Sequence, residues 1–124
     1  MNIVDSSGWL AYFADEPNAG RFQAPLKDTA SLIVPSVTIY EVFKVVLRES
    51  NENHAIHAVA AMQKGEVVDL TSNLAVFASK LSLEHRLPMA DSIILATAKE
   101  YNALIWTQDS DFEHISGVKY FPKK

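Results

Sequence analysis

An α/β domain in three layers, with a central, mostly parallel sheet flanked by helices, is the fold class the sequence predicts. Three observations carry it. Short apolar runs of strand length alternate along the chain with amphipathic stretches of helical period. The runs are apolar enough to be strands covered on both faces, the usual state of a parallel sheet. At 124 residues, without internal repeats, low-complexity tracts or a Ser/Gly linker, the chain has the length of one domain, residues 1–124, able to bury a core without staples.

The elements follow in order. Asn2 to Asp5 reads as a first strand, and Ser6 and Ser7 as N-caps of a helix carrying Trp9, Leu10, Tyr12 and Phe13. Asn18 to Thr29 has helical character, but Gly20 and Pro25 interrupt it. Ser31 to Val34 reads as a buried strand closed by Pro35, after which Ser36 caps a helix from Val37 to Arg48 with Ile39, Phe43, Val46 and Leu47 as its buried stripe. A helix from Asn53 to Gln63 stops at Gly65, and Val67 to Leu70 reads as a third strand. Ser72 or Asn73 opens a helix that Pro88 ends; its inner face is Leu74, Phe77, Ala78 and Leu81. Asp91 to Tyr101 is a further helix, Ala103 to Thr107 a strand, Gln108 to Asp111 a polar turn, and Val118 to Phe121 a last short strand.

Composition narrows the chemistry. The absence of Cys removes disulfides, zinc–cysteine sites and thiol nucleophiles. No apolar run approaches the roughly 20 residues of a membrane span, and Asp5 breaks the only apolar stretch near the start, so neither a span nor a signal peptide is expected and the cytoplasm is the default compartment. A net charge of −4 is the wrong sign for a protein that grips nucleic acid over its whole surface, though acids gathered at one site would depress the count. There is no Gly-rich phosphate loop and no Gly-x-Ser-x-Gly, and the four His form no metal-ligand pattern.

Ligand sites in open parallel sheets lie at the C-terminal strand ends. Asp5 closes the first strand and Asp109 follows the strand through Leu104, Ile105 and Trp106; Asp111 lies two residues further on. Glu41 flanks the buried stripe of its helix in line with Lys44 and Arg48, and Asp91 shares a face with Ile94, Leu95 and Ala98. Singly, each acid has an ordinary reading, as a helix cap, a turn former or a partner of a surface base. As a set they do not. Two carboxylates about 4 Å apart repel by about 4 kcal/mol at an effective dielectric near 20, so either some are protonated or a divalent cation lies among them. Oxygen ligands alone suit Mg²⁺ or Mn²⁺, which at such a site can assist phosphodiester hydrolysis. Ser6 and Thr107 are placed to orient a carboxylate or hold water beside the ion.

The segments Ile3-Val4-Asp5-Ser6-Ser7, Tyr40-Glu41-Val42, Met89-Ala90-Asp91-Ser92-Ile93-Ile94-Leu95-Ala96-Thr97-Ala98 and Thr107-Gln108-Asp109-Ser110-Asp111-Phe112 together resemble PIN-domain proteins, more narrowly the VapC toxins of type II toxin–antitoxin pairs. The resemblance spans the whole chain, in the family's order and roughly its spacing. It implies a PIN fold and a Mg²⁺- or Mn²⁺-dependent endoribonuclease, usually a homodimer, held inactive by a VapB-type antitoxin. It implies Asp5, Glu41, Asp91 and Asp109 as the acidic metal site, Asp111 as an additional acid that some members carry, and Thr107 as the polar residue beside it. Lys44, Arg48 and Arg86 are candidates for phosphate contact. Three rivals remain open at this point, one of them the same enzyme acting on a different substrate such as single-stranded DNA or a flap structure. A catalytically silent PIN binding module would share the fold, and a receiver-type signalling domain would share the acids after the first strand; the latter should also show an acidic pair there and a Lys after the last strand.

Overall fold

The computed structural model describes residues 1–124. Five short strands, β1 (Asn2–Val4), β2 (Ile33–Pro35), β3 (Glu66–Val68), β4 (Leu104–Thr107) and β5 (Val118–Tyr120), are interleaved with six helices. These are α1 (Ser6–Phe13), α2 (Gln23–Lys27), α3 (Ser36–Glu49), α4 (Glu52–Met62), α5 (Ser72–His85) and α6 (Met89–Glu100). β1 pairs with β4 and β4 with β5, while β2 pairs with β3; all pairings are parallel. A single parallel bridge from Asn2 to Leu32 joins the two ladders, giving the spatial order β3-β2-β1-β4-β5.

The pleat explains why the strands are apolar throughout. Successive side chains leave a strand on opposite faces. Ile3, Ile33 and Ile105 enter a core beneath α5 and α6, with Leu81, Ile94, Leu95 and Phe112. Their neighbours Val4, Leu32, Val34 and Trp106 enter a second core with Trp9, Phe22, Val42 and Met62, beneath α1 to α4. Helices on both faces of a central parallel sheet give the three predicted layers.

Several boundaries differ from those the sequence predicts, each for a local reason. Asp5, not Ser6 or Ser7, caps α1, because its extended backbone lets Oδ1 accept from the Gly8 N–H. The cap of α3 is Pro35, which offers no side-chain acceptor; Ser36 is the first helical residue, and Thr38 instead donates back to the Pro35 carbonyl at 2.6 Å. The fully buried residues of α3 are Thr38 and Val42, about a quarter turn from the expected stripe; of that stripe Ile39 and Val46 pack partly buried against the second core, and Leu47 is exposed. Asn51 caps α4, and Thr71 caps α5 through the Leu74 N–H at 3.2 Å. The ambiguous stretch becomes a 3₁₀ turn, Ala19–Phe22, followed by the brief α2, where Pro25 lies within the first turn and its missing N–H is no loss. α6 opens two residues before Asp91, leaving that acid in the first turn.

Two glycines are required by close approach. A Cβ on Gly8 would stand 2.5 Å from Val4 Cγ1 and 2.9 Å from Phe22 Cε1, and one on Gly65 would stand 2.9 Å from the Leu32 carbonyl. Gly8 thereby lets α1 lie directly on β1, which holds the cap residue Asp5 against the sheet.

Candidate metal centre

β1 and β4 are adjacent and in register, Val4 opposite Trp106, so the residues that follow them emerge side by side. Asp5 is 2% exposed and both its oxygens are engaged. Oδ1 accepts from the Ser7 hydroxyl at 2.8 Å and the Gly8 N–H at 3.0 Å; Oδ2 accepts from the Thr107 hydroxyl at 2.6 Å. Thr107 in turn accepts from the Asp109 N–H at 2.9 Å, and Asp109 Oδ1 accepts from the Asp111 N–H at 2.9 Å. A chain of hydrogen bonds thus runs from the end of β1 through the turn after β4. Ser7 was not anticipated as a site residue. The signal for it was its place two residues after Asp5, where a hydroxyl folds back on the carboxylate it follows.

Asp91 reaches this region from α6. One carboxylate oxygen each from Asp91, Asp109 and Asp111 lie within 4.8 Å of one another. Asp5 and Glu41 stand outside that tightest group, Asp5 with its oxygens taken up by hydroxyls and an amide, Glu41 accepting from the Ser6 hydroxyl. All five acids nevertheless share one field, since the charges of Asp109, Asp5, Asp111 and Glu41 all act on Asp91. Burial first, then those charges, pushes Asp91 up to about 8. Burial also raises Asp5, to about 6, against the lowering effect of its bonds from Thr107, Ser7 and Gly8.

None of the five carboxylates has an ion-pair partner; the salt bridges are Arg48–Glu49, His85–Glu84 and His114–Glu113. Two of the three bases proposed for phosphate contact have other partners. Lys44 lies over the Tyr40 ring, Arg48 pairs with Glu49, and Arg86 is the left-handed residue that ends α5. Helix N-termini supply part of the compensation, with Asp5 capping α1 and Asp91 in the first turn of α6. They do not neutralise the whole group. The donor set is all oxygen, partly buried and convergent, which fits a hard divalent cation such as Mg²⁺ or Mn²⁺ and not a thiophilic metal. A cavity of about 780 Å³ is a separate groove beside α1 and α3–α4. It meets the site only at its polar end, at Ser7 and Gln108, and contains none of the five acids.

No helix is long and apolar enough to cross a membrane. No curated protein matches the chain in sequence. Among solved structures, a toxin–antitoxin complex from Klebsiella pneumoniae superposes with a TM-score of 0.80 at 22% identity, covering 96% of each chain. VapC20 from Mycobacterium tuberculosis, a Sarcin-Ricin loop cleaving toxin, gives 0.79 at 17% identity, covering 95% of this chain and 97% of that one. DNA-bound VapBC from Salmonella typhimurium gives 0.73 at 16% identity, covering 98% of both. At these identities the likeness is one of fold. In sequence, the PIN domain family matches residues 3–118, nearly the whole span from β1 to β5. The protein therefore belongs to the PIN domain family.

Proposed function

We propose that the chain acts as one PIN unit, a divalent-metal-dependent endoribonuclease that is the toxin of a type II toxin–antitoxin pair and works in the cytoplasm. One observation carries the reading: the carboxylates of Asp91, Asp109 and Asp111 converge, Asp5 and Glu41 are near enough to act on Asp91, and none of the five has an ion-pair partner. The residues that would hold Mg²⁺ or Mn²⁺ are Asp91, Asp109 and Asp5, with Asp111 as a further ligand and Glu41 either as a ligand or as the base that aligns the attacking water. When bound, the cation supplies Lewis-acid charge at the phosphoryl oxygen and acidifies water. The protein's own contribution is orientation. Thr107 and Ser7 fix the Asp5 carboxylate, Ser6 fixes Glu41, and the Thr107 hydroxyl fixes the backbone from which Asp109 projects. Glu41, half-buried, would be a ligand or the group that positions the attacking water.

The partner assignments rest on similarity of fold and on exposed apolar surface. Among the similar structures are a toxin–antitoxin complex and a DNA-bound VapBC, which supports a VapB-type antitoxin for this chain. Homodimerisation is supported by the groove between α5 and α6, where Leu70, Leu83 and Met89 are exposed, Leu83 by 86%.

The test is cleavage of a structured RNA pool by purified protein with Mg²⁺ or Mn²⁺, with EDTA, and with Asp5→Asn. Metal-dependent cutting that the variant lacks is the expected result. Cutting that survives EDTA, or an Asp5→Asn enzyme at full rate, would overturn the reading.

A further inference from the structure

Behind the carboxylates lies a second polar group that the proposed chemistry does not use. Gln108 stands between Thr107, which holds Asp5, and Asp109, yet its own side chain turns away from the acids and is buried, 5% exposed. Its backbone N–H donates to the Ser7 hydroxyl at 3.2 Å, and its Nε2 donates to the Ser7 carbonyl and to Glu16 Oε1, each at 3.4 Å. Its Oε1 accepts from Asn18 Nδ2 at 3.1 Å. Asn18, 1% exposed, spends its second donor on the Pro122 carbonyl at 3.0 Å. Both partners of that amide nitrogen are acceptors, so the orientation of Asn18 is fixed, and its Oδ1 is left buried without a partner. A buried amide that gives up one of its own hydrogen bonds to keep two others is unusual, because an unmet buried acceptor is costly.

Those bonds tie four stretches of chain together: the start of α1 at Ser7, the loop after α1 at Glu16 and Asn18, the turn after β4 at Gln108, and the terminal segment at Pro122. Phe121 N–H completes the tie by donating to the Thr107 carbonyl at 2.9 Å. Two of these stretches carry Asp5 on one side and Asp109 and Asp111 on the other. We propose that Gln108 and Asn18 form a buried amide clamp that sets the spacing between the Asp5 segment and the Asp109–Asp111 turn, so that they are positioning residues for cation binding. The proposal rests on the metal-site reading for its consequence, but the clamp itself is a property of the metal-free protein.

The experiment uses the full chain with Gln108→Ala, Asn18→Ala, the double variant, and Asn51→Ala as control. Asn51 caps α4 at 2.8 Å to the His54 N–H, away from the acids, so its loss lowers stability without touching the clamp. Mn²⁺ affinity is measured by titration calorimetry at a temperature where all four are folded by near-ultraviolet circular dichroism. In the same samples without metal, hydrogen exchange is followed at the Asp109 and Asp111 amides. Gln108→Ala should weaken Mn²⁺ binding about 10- to 100-fold, the usual effect of losing a partner that orients a ligand, and should speed exchange at both amides. Asn18→Ala, which leaves the Gln108 Nε2 bonds to the Ser7 carbonyl and Glu16 in place, should do so less, and the double variant no more than Gln108→Ala. Asn51→Ala should lower the melting temperature and change neither readout. Unchanged affinity and exchange in Gln108→Ala, or equal changes in Asn51→Ala, would overturn the clamp. Failure of the wild-type chain to bind Mn²⁺ would remove the metal reading alone, and the exchange data would still decide the clamp.

Discussion

Replacing Asp5 with Asn should stabilise the metal-free protein at alkaline pH and destabilise it at acid pH. The folded carboxyl is raised from its ordinary 3.8 to about 6, chiefly by burial. A raised acid binds its proton more tightly in the folded state, so the stabilisation from that proton is complete below 3.8 and is lost as pH rises through about 6. Above that pH the buried charge costs roughly 3 kcal/mol, from about two pH units at 1.36 kcal/mol each. Asn removes that cost. Its Oδ1 can still accept from Gly8 and Ser7, but its amide cannot accept from Thr107, a loss of about 1 kcal/mol. The variant should therefore be more stable by about 2 kcal/mol at pH 8 and less stable by about 1 kcal/mol near pH 4. At roughly 4 °C per kcal/mol for a domain of this size, the melting temperature should rise by roughly 8 °C and fall by roughly 4 °C respectively. Thermal melts of both proteins in EDTA from pH 4 to 8 test this. Asp91 titrates in both, so the difference reports Asp5 and its coupling to Asp91. A constant offset across that range would refute the burial argument.

Other outcomes follow from the same geometry. The metal-free wild type should lose stability as pH climbs from about 4 towards 8, because folded Asp91 holds its proton up to about 8; Asp91→Asn should flatten that slope and lower RNA cleavage by more than about 100-fold, as measured by melts and gel assay. Mn²⁺ at about 100 times its dissociation constant should add about 2.7 kcal/mol of stability at pH 7, and an unmoved melting curve at millimolar metal would count against a formed site. Gly8→Ala should cost about 1–3 kcal/mol in urea denaturation, since its Cβ would fall 2.5 Å from Val4; an unchanged midpoint would show that β1 yields easily. Leu83→Glu should shift the protein to a monomer in light scattering if the α5–α6 groove is the dimer contact, and an unaltered mass would place that contact elsewhere.

The layers and strands were legible because burial on both faces writes itself as continuous apolar runs, and Ile3, Ile33 and Ile105 fall in those runs. The adjacency of β1 and β4, on which the meeting of Asp5 and Asp109 depends, was a condition the sequence posed and the fold met. Helix ends were less legible. Asp5-Ser6-Ser7 offers three capping side chains in a row, and only the backbone conformation at Asp5 decides among them. The face of α3 was displaced because Thr38, polar by type, is buried by bonding its hydroxyl to Pro35, which a hydropathy pattern scores as outward. Asn18 and Gln108 were invisible as a pair. They lie 90 residues apart, and a buried amide carries no periodic mark.

The hydrogen bond from Thr107 to Asp5 joins residues 102 apart, and β1, the middle strand of the sheet, finds its β4 neighbour only near the far end of the chain. Synthesis runs from the N-terminal side, so Asp5 is made 102 residues before Thr107, its hydrogen-bond partner, exists. Contacts this distant in sequence close slowly and late. A growing chain therefore has no assembled acidic group, and a chain cut short before β4 never acquires one. For a protein proposed to cut RNA, topology delays the hazard until the turn after β4 has been made and docked beside β1.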